Sequence, residues 1–174
     1  LNIGIIGCGI FGQCMASLLD STHNMIMTSR RNYSELCENQ GWTFLPQDEW
    51  NQVRKDVILI AVSIDSLSET IRKIDFSDEL VIDVLSVKVF PKKILLETVP
   101  DTCDILCSHP MFGPNSIQDE KKHPFIYEEV RIQNVKRLRY FMESIKNHCL
   151  VEEMSCEQHD KEIGIYQAVT HFTN

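Results

Sequence analysis

Leu1-Asn-Ile-Gly-Ile-Ile-Gly7-Cys-Gly9-Ile-Phe-Gly12 decides the fold of this chain. An apolar run with the look of a buried strand passes without a linker into three glycines at the spacing G-x-G-x-x-G, and a helical pattern opens directly after them. Gly7 permits a tight turn, Gly9 lets a pyrophosphate approach the backbone, and Gly12 lets helix and strand pack closely. The helix start adds unpaired N–H groups and a partial positive charge. A glycine-rich turn that binds nothing would leave all three glycines unexplained. The cofactor contacts expected from this turn are Gly7, Gly9, Ile10, Phe11 and Gly12, with Ser63 beyond a later strand.

Outward from that turn, short β-rich runs alternate with helical patterns, the signature of βαβ units. Strands are expected at Asn2–Ile6, Met25–Thr28, Val57–Val62, Leu80–Asp83 and Asp104–Ser108, with helices near Ile10–Asp20, Tyr33–Asn39, Ser66–Ile74 and Phe90–Thr98. Phe125–Tyr127 and Val130–Gln133 read as an antiparallel pair or as one strand split by a turn. A helix over Val135–Asn147 and a strand at Leu150–Glu153 close the unit. The expected fold is α/β, a Rossmann-type doubly wound, mostly parallel sheet over residues 1–154.

The end of the second strand selects the cofactor. A ribose 2′-OH is usually bound there by Asp or Glu about 20 residues beyond the glycines. The chain instead reads Thr28-Ser29-Arg30-Arg31, a hydroxyl and two guanidinium groups suited to a 2′-phosphate. This predicts NADP, with Ser29 and Arg30 as its readers and Arg31 stacking on adenine. The competing reading is a pair of solvated arginines.

Bulk properties narrow the function further. The chain has 174 residues, 43% hydrophobic and 24% charged, enough for one good core. A formal net charge of −8, with dispersed Lys and Arg, argues against nucleic acid or an acidic membrane as partner. No apolar run approaches bilayer length. Seven scattered cysteines suit reduced, mostly buried thiols and a cytoplasmic setting. Cys103, Cys107 and His109 lack the usual spacing of zinc ligands and an obvious fourth member, so no metal is expected.

Asp104-Ile-Leu-Cys-Ser-His109-Pro-Met-Phe-Gly113-Pro114 carries the chemistry. An apolar strand ends at an imidazole, and two prolines and a glycine restrict the loop beyond it. Ligands of open α/β sheets collect past the carboxyl ends of strands, which places His109 to act as acid or base. A histidine that merely caps the strand is the plainer alternative.

These blocks together resemble the plant-type arogenate and prephenate dehydrogenases, the oxidative enzymes of tyrosine synthesis. The resemblance runs through Ile3-Gly-Ile-Ile-Gly-Cys-Gly-Ile-Phe-Gly-Gln13, Thr28-Ser-Arg30, Asp83-Val-Leu-Ser86-Val-Lys88, the His109 block and Glu153-Met-Ser-Cys-Glu-Gln-His159-Asp160. It implies that His109 bonds the substrate's ring hydroxyl and assists its deprotonation, and that Ser86 orients His109 and contacts cofactor or substrate. It implies substrate contacts for Lys88 and for His171, and favours arogenate through an acidic loop residue, for which Asp119 is the candidate. Asn115 stands where the family has glutamate, so that loop departs from the pattern. Asp83 reads equally as a partner of the site or a turn residue, and His159-Asp160 as the polar first turn of a helix.

The implied activity is NADP-dependent oxidative decarboxylation of arogenate to tyrosine. The alternatives are prephenate dehydrogenation to 4-hydroxyphenylpyruvate and a non-catalytic NADP-binding module. The compartment would be cytoplasm, or plastid stroma in a plant. Ser155 followed by Gln158 forms a capping-box pattern at the head of a last helix. Residues 155–174 are expected to have no partner within the chain, and to be the first helix of a truncated helical substrate and dimerisation domain of a homodimer.

Overall fold

The computed structural model describes residues 1–113 and 121–172, with the side chains of 165–172 outside the described set. Asp119 lies outside the described residues, as does the His171 side chain.

Eight strands form one sheet in the order β3-β2-β1-β4-β5-β6-β7-β8. The glycine turn joins β1 (Asn2–Ile6) to α1 (Ile10–Leu19), and β2 (Asn24–Thr28) lies parallel to β1. After α2 (Ser34–Gln40), β3 (Thr43–Phe44) and α3 (Gln47–Gln52), the chain crosses to β4 (Val57–Ile60) on the other side of β1. This reversal of direction around β1 creates the crevice where doubly wound sheets bind ligands.

The second half continues through α4 (Ile64–Ile71), β5 (Leu80–Asp83), α5 (Val89–Thr98) and β6 (Asp104–Pro110). β4, β5 and β6 are parallel neighbours. β7 (His123–Arg131) pairs antiparallel with β6, and α6 (Val135–His148) returns the chain so that β8 (Cys149–Glu153) lies parallel to β7. α7 (Cys156–Phe172) follows.

The parallel strands read as continuous apolar runs because helices cover both faces. Ile3, Ile5, Leu59, Ile82 and Leu106 join Met15, Leu19 and Phe141 in one core. Ile58, Ile60, Val81 and Ile105 join Trp50, Leu67 and Leu95 in the other. Each fully buried apolar side chain of this size contributes about 1.5–3 kcal/mol.

Three expectations need correction. Phe125–Tyr127 and the start of the second run, Val130 and Arg131, belong to a single strand, β7, whose pairing shifts opposite Ile105 and Leu106, while Ile132 and Gln133 lie beyond it. β3 and α3 were not expected: a two-residue edge strand and a six-residue helix are too short to show periodicity. The start of α7 does have partners within the chain. Cys156 packs into the second core, its N–H donates to Glu128 Oε2 at 2.6 Å, and Lys92 of α5 bonds both Glu128 at 2.8 Å and Glu157 at 3.2 Å. Half of the capping box forms, Gln158 N–H donating to Ser155 Oγ at 3.2 Å, while the Gln158 amide turns to Glu162.

Candidate active site

The glycine turn is held from β2: Gly7 N–H donates to the Thr28 carbonyl at 2.9 Å. Gly7 has φ +106°, and a Cβ there would stand 2.3 Å from the Ala61 oxygen. At Gly12 a Cβ would stand 1.9 Å from the Gly7 carbonyl oxygen, so α1 closes on the turn only without a side chain. Gly9 differs, since nothing lies within 4 Å of its Cβ position. It precedes a helix whose start has no side-chain cap bond and no acid in the first turn. Open space before a bare positive helix end fits a pyrophosphate.

Two clefts flank this turn and share Val62 and Ser63. The smaller, about 170 Å3, is lined by Gly7, Ser29, Arg30, Ser66, Glu69 and Lys73 among others. Glu69 is held below the usual carboxylate range by the bond and charge of Lys73 and by nearby Arg30. Two cations therefore face one carboxylate, a net positive lining that fits a phosphate. Arg31 is exposed and does not line this cleft. Sequence reading missed Ser66, Glu69, Thr70 and Lys73, although with Ser63 they recur every three or four residues, the spacing of one helix face.

The larger cleft, about 420 Å3, brings Phe11 and Ser63 together with Ser86, His109 and Phe112. Phe11 and Phe112 rings lie 6.0 Å apart. Ile10, next to Phe11 in the chain, is 73% exposed and is not part of the cleft lining. The cleft opens because β5 ends at Asp83, level with Cys107, whereas β6 runs on to Pro110 along β7. His109 pairs with Ile126 in that ladder, so it sits within the strand's last residues, correcting its placement beyond the strand. Its other flank faces the space that β5 vacates.

His109 Nδ1 bonds His159 Nε2 at 2.8 Å, and His159 Nδ1 bonds Asp160 Oδ1 at 2.8 Å. Asp160 also accepts from the Lys88 and Val89 N–H groups at 2.8 and 2.9 Å, tying α7 to the start of α5. Burial pushes the Asp160 carboxyl upward, but the bonds from Val89, His159 and Lys88 outweigh it and hold it below the usual range. Burial, His159 and Lys88 push the His109 imidazole down to about 4, against an opposing pull from Asp160.

Two expected roles are corrected. The partner of His109 Nδ1 is His159 in place of Ser86, which is exposed and lines the same cleft. Lys88 is 2% exposed, and its ammonium is taken up by Asp83 Oδ1 and the Ser108 carbonyl. It does not line the cleft, because the fully buried Asp83 carboxylate draws it inward. Breaking such a pair on one side costs about 3–5 kcal/mol, since the other charge stays buried. Asp83 thus pairs with Lys88 inside the sheet, and neither lines the cleft.

No group of three or more His, Cys, Asp or Glu suited to a metal occurs among the described residues. The described cysteines are buried and free of disulfides. No helix among the described residues is long and apolar enough to cross a membrane.

Fold and glycine turn together define a Rossmann-type domain, with an imidazole in the cleft beside the dinucleotide turn. Residues 2–87 match the family described as NADP oxidoreductase, coenzyme F420-dependent. Over 98% of its length the chain is 38% identical to arogenate dehydrogenase 2, chloroplastic, of Arabidopsis thaliana, covering 51% of that protein. Identity to arogenate dehydrogenase 1, chloroplastic, of the same plant is 33% over 98% of the chain and 29% of the relative. The crystal structure of prephenate dehydrogenase from A. aeolicus, in complex with hydroxyphenyl propionate and NAD+, superposes with a TM-score of 0.75. It is 19% identical, covering 94% of this chain and 63% of that one, a likeness of fold. The chain belongs to the arogenate/prephenate dehydrogenase family and spans about half the length of the first of these relatives.

Proposed function

We propose that the protein is an NADP-dependent dehydrogenase that converts arogenate to tyrosine by oxidative decarboxylation. The observation that carries this reading is the larger cleft, which sets the His109 imidazole against Phe11 and Ser63 from the two elements that follow the dinucleotide strands. Residues 1–154 serve as the cofactor-binding domain and 155–174 as the first helix of a helical substrate and dimerisation domain in a homodimer. Ser29 and Arg30 bind the 2′-phosphate, with Arg31 at its edge; Ser86 and His109 meet the substrate, joined by Asp119 and His171.

When bound, NADP supplies the hydride acceptor. His109 accepts the hydroxyl proton of the ring carbon that loses hydride, while the ring carboxylate leaves as CO2 and the ring becomes aromatic. With Nδ1 engaged by His159, Nε2 is the nitrogen left for that proton. An imidazole held near 4 stays unprotonated at neutral pH, and a bound carboxylate substrate raises its proton affinity toward the working range. The names of the two plant relatives support arogenate over prephenate and a plastid setting in a plant. The A. aeolicus structure supports prephenate as the second reading, through the same proton acceptor.

The test follows reduced-nicotinamide formation with arogenate and prephenate separately, each with NADP and NAD. It uses this chain and a form carried on to the length of its relatives. Turnover is expected with arogenate and NADP, falling about 100- to 10,000-fold in His109→Gln. Binding of NADP without turnover of either substrate would put the non-catalytic module in its place.

A further inference from the structure

The start of α7 reaches into the site through a chain of bonds whose direction can be deduced. An ionised carboxylate only accepts, so Asp160 Oδ1 takes a hydrogen from His159 Nδ1 at 2.8 Å. A neutral His159 then presents Nε2 as an acceptor, and the 2.8 Å contact to His109 Nδ1 places a hydrogen on that Nδ1. The two rings stand nearly perpendicular, 77° apart with centroids at 5.0 Å, an edge-on approach suited to a hydrogen bond. His159 is 1% exposed, so water does not compete for either nitrogen.

We propose that Asp160 and His159 are positioning residues for His109, holding the hydrogen on Nδ1 and leaving Nε2 open to the cleft, with the Asp160 charge favouring the imidazolium that forms there. The sequence shows only a polar first helical turn at these positions; the fold joins them to a strand 50 residues earlier. Asp160 is itself fixed by the two N–H groups that open α5, so the chain of bonds ends on a braced carboxylate.

Charge accounting gives the arrangement its purpose. Before proton uptake the Asp160–His159–His109 set carries −1; when Nε2 takes the substrate's hydroxyl proton it carries 0. No second proton has to move, because the His109 Nδ1–H bond to His159 becomes charge-assisted. Among the described residues, Lys88, beside α5, disfavours the imidazolium, as His159 does when charged, and is itself paired with Asp83 of β5. β7 contributes the apolar Ile126 opposite His109.

The kinetic part of this inference rests on the dehydrogenase reading; the tautomer part does not. The experiment is 15N NMR of the histidine-labelled protein, the His109 signals being those lost in His109→Gln, followed by steady-state kinetics across pH. The wild type is expected to hold His109 with Nδ1 protonated and Nε2 bare near neutral pH. His159→Phe keeps an aromatic ring but no acceptor; it should mix the tautomers and lower kcat about 100-fold, with NADP affinity unchanged. His159→Gln offers a carbonyl oxygen to Nδ1 and should recover about tenfold of that loss. A wild-type His109 protonated on Nε2 overturns the proposal, as does a His159→Phe variant with the wild-type tautomer and pH profile of kcat. The expected tautomer without turnover of either substrate supports the positioning and removes only the dehydrogenase reading.

Discussion

Arg30 is exposed at the end of β2, and its importance lies in the company it keeps. It shares the smaller cleft with Ser29, Glu69 and Lys73, and the second cation leaves Arg30 uncommitted to the carboxylate. A hydrogen bond to a charged group contributes about 1.5–3 kcal/mol, or about 10- to 150-fold in affinity. Arg30→Ala should therefore weaken NADP by about that factor and NAD by less than about threefold, measured as dissociation constants of the two cofactors. An unchanged ratio would remove the 2′-phosphate assignment. Arg30 was legible because a missing acid after β2 is a local signal. Lys88 was not, because its burial depends on Asp83, whose carboxylate is buried in the sheet and draws the ammonium away from the cleft. His159 was hidden for a related reason: its partner is a strand residue that only the folded sheet brings near.

The glycine turn shows how one motif separates folding from binding at the level of elements. Gly12 and Gly9 differ in what a methyl group would meet: backbone oxygen at 1.9 Å for Gly12, open space for Gly9. Gly12→Ala should force α1 off β1 and destabilise the domain by at least about 2 kcal/mol, in the range of severe packing and backbone faults. Gly9→Ala should melt within a few degrees of wild type yet lose dinucleotide affinity at least tenfold, because the methyl occupies the space before the helix start. Thermal melting and cofactor titration of both variants check this; equal melting temperatures would overturn the packing argument. β1, α1, β2, β5 and α6 were legible because each carries an unbroken apolar period and a turn signal. β7 looked divided because its burial alternates irregularly where the pairing with β6 shifts. β3 and α3 escaped because they hold their places by Trp50 packing and edge pairing.

Across the whole molecule, the seam between α7 and the sheet is where acidity acts. Burial pushes Glu128 upward, but bonds from Cys156 and Lys92 outweigh it and hold the carboxyl below its usual range, as happens to Asp160. A depressed carboxyl stabilises the fold fully above its unfolded value near 4 and loses that contribution as pH falls through the lower folded value. His109, pushed down to about 4, acts over an earlier window. Between about 6.5 and 4 the unfolded imidazole takes a proton that the folded one resists, so stability declines there as well. Both effects meet at the bonds that join α7 to α5, β6 and β7, whereas the side chains that pack the two apolar cores include no carboxyl or imidazole. Acidification should open α7 before the sheet. Protection of the Cys156, His159 and Val89 amides, measured against the intrinsic exchange rate at each pH, should fall below about pH 6.5 and more steeply below about 4, while Ile58 and Ile82 remain protected. Simultaneous exposure of both sets at every pH would mean that α7 is cooperative with the sheet. The ordered result would make the seam a separate unit that carries His159 and Asp160 to the His109 imidazole when it closes.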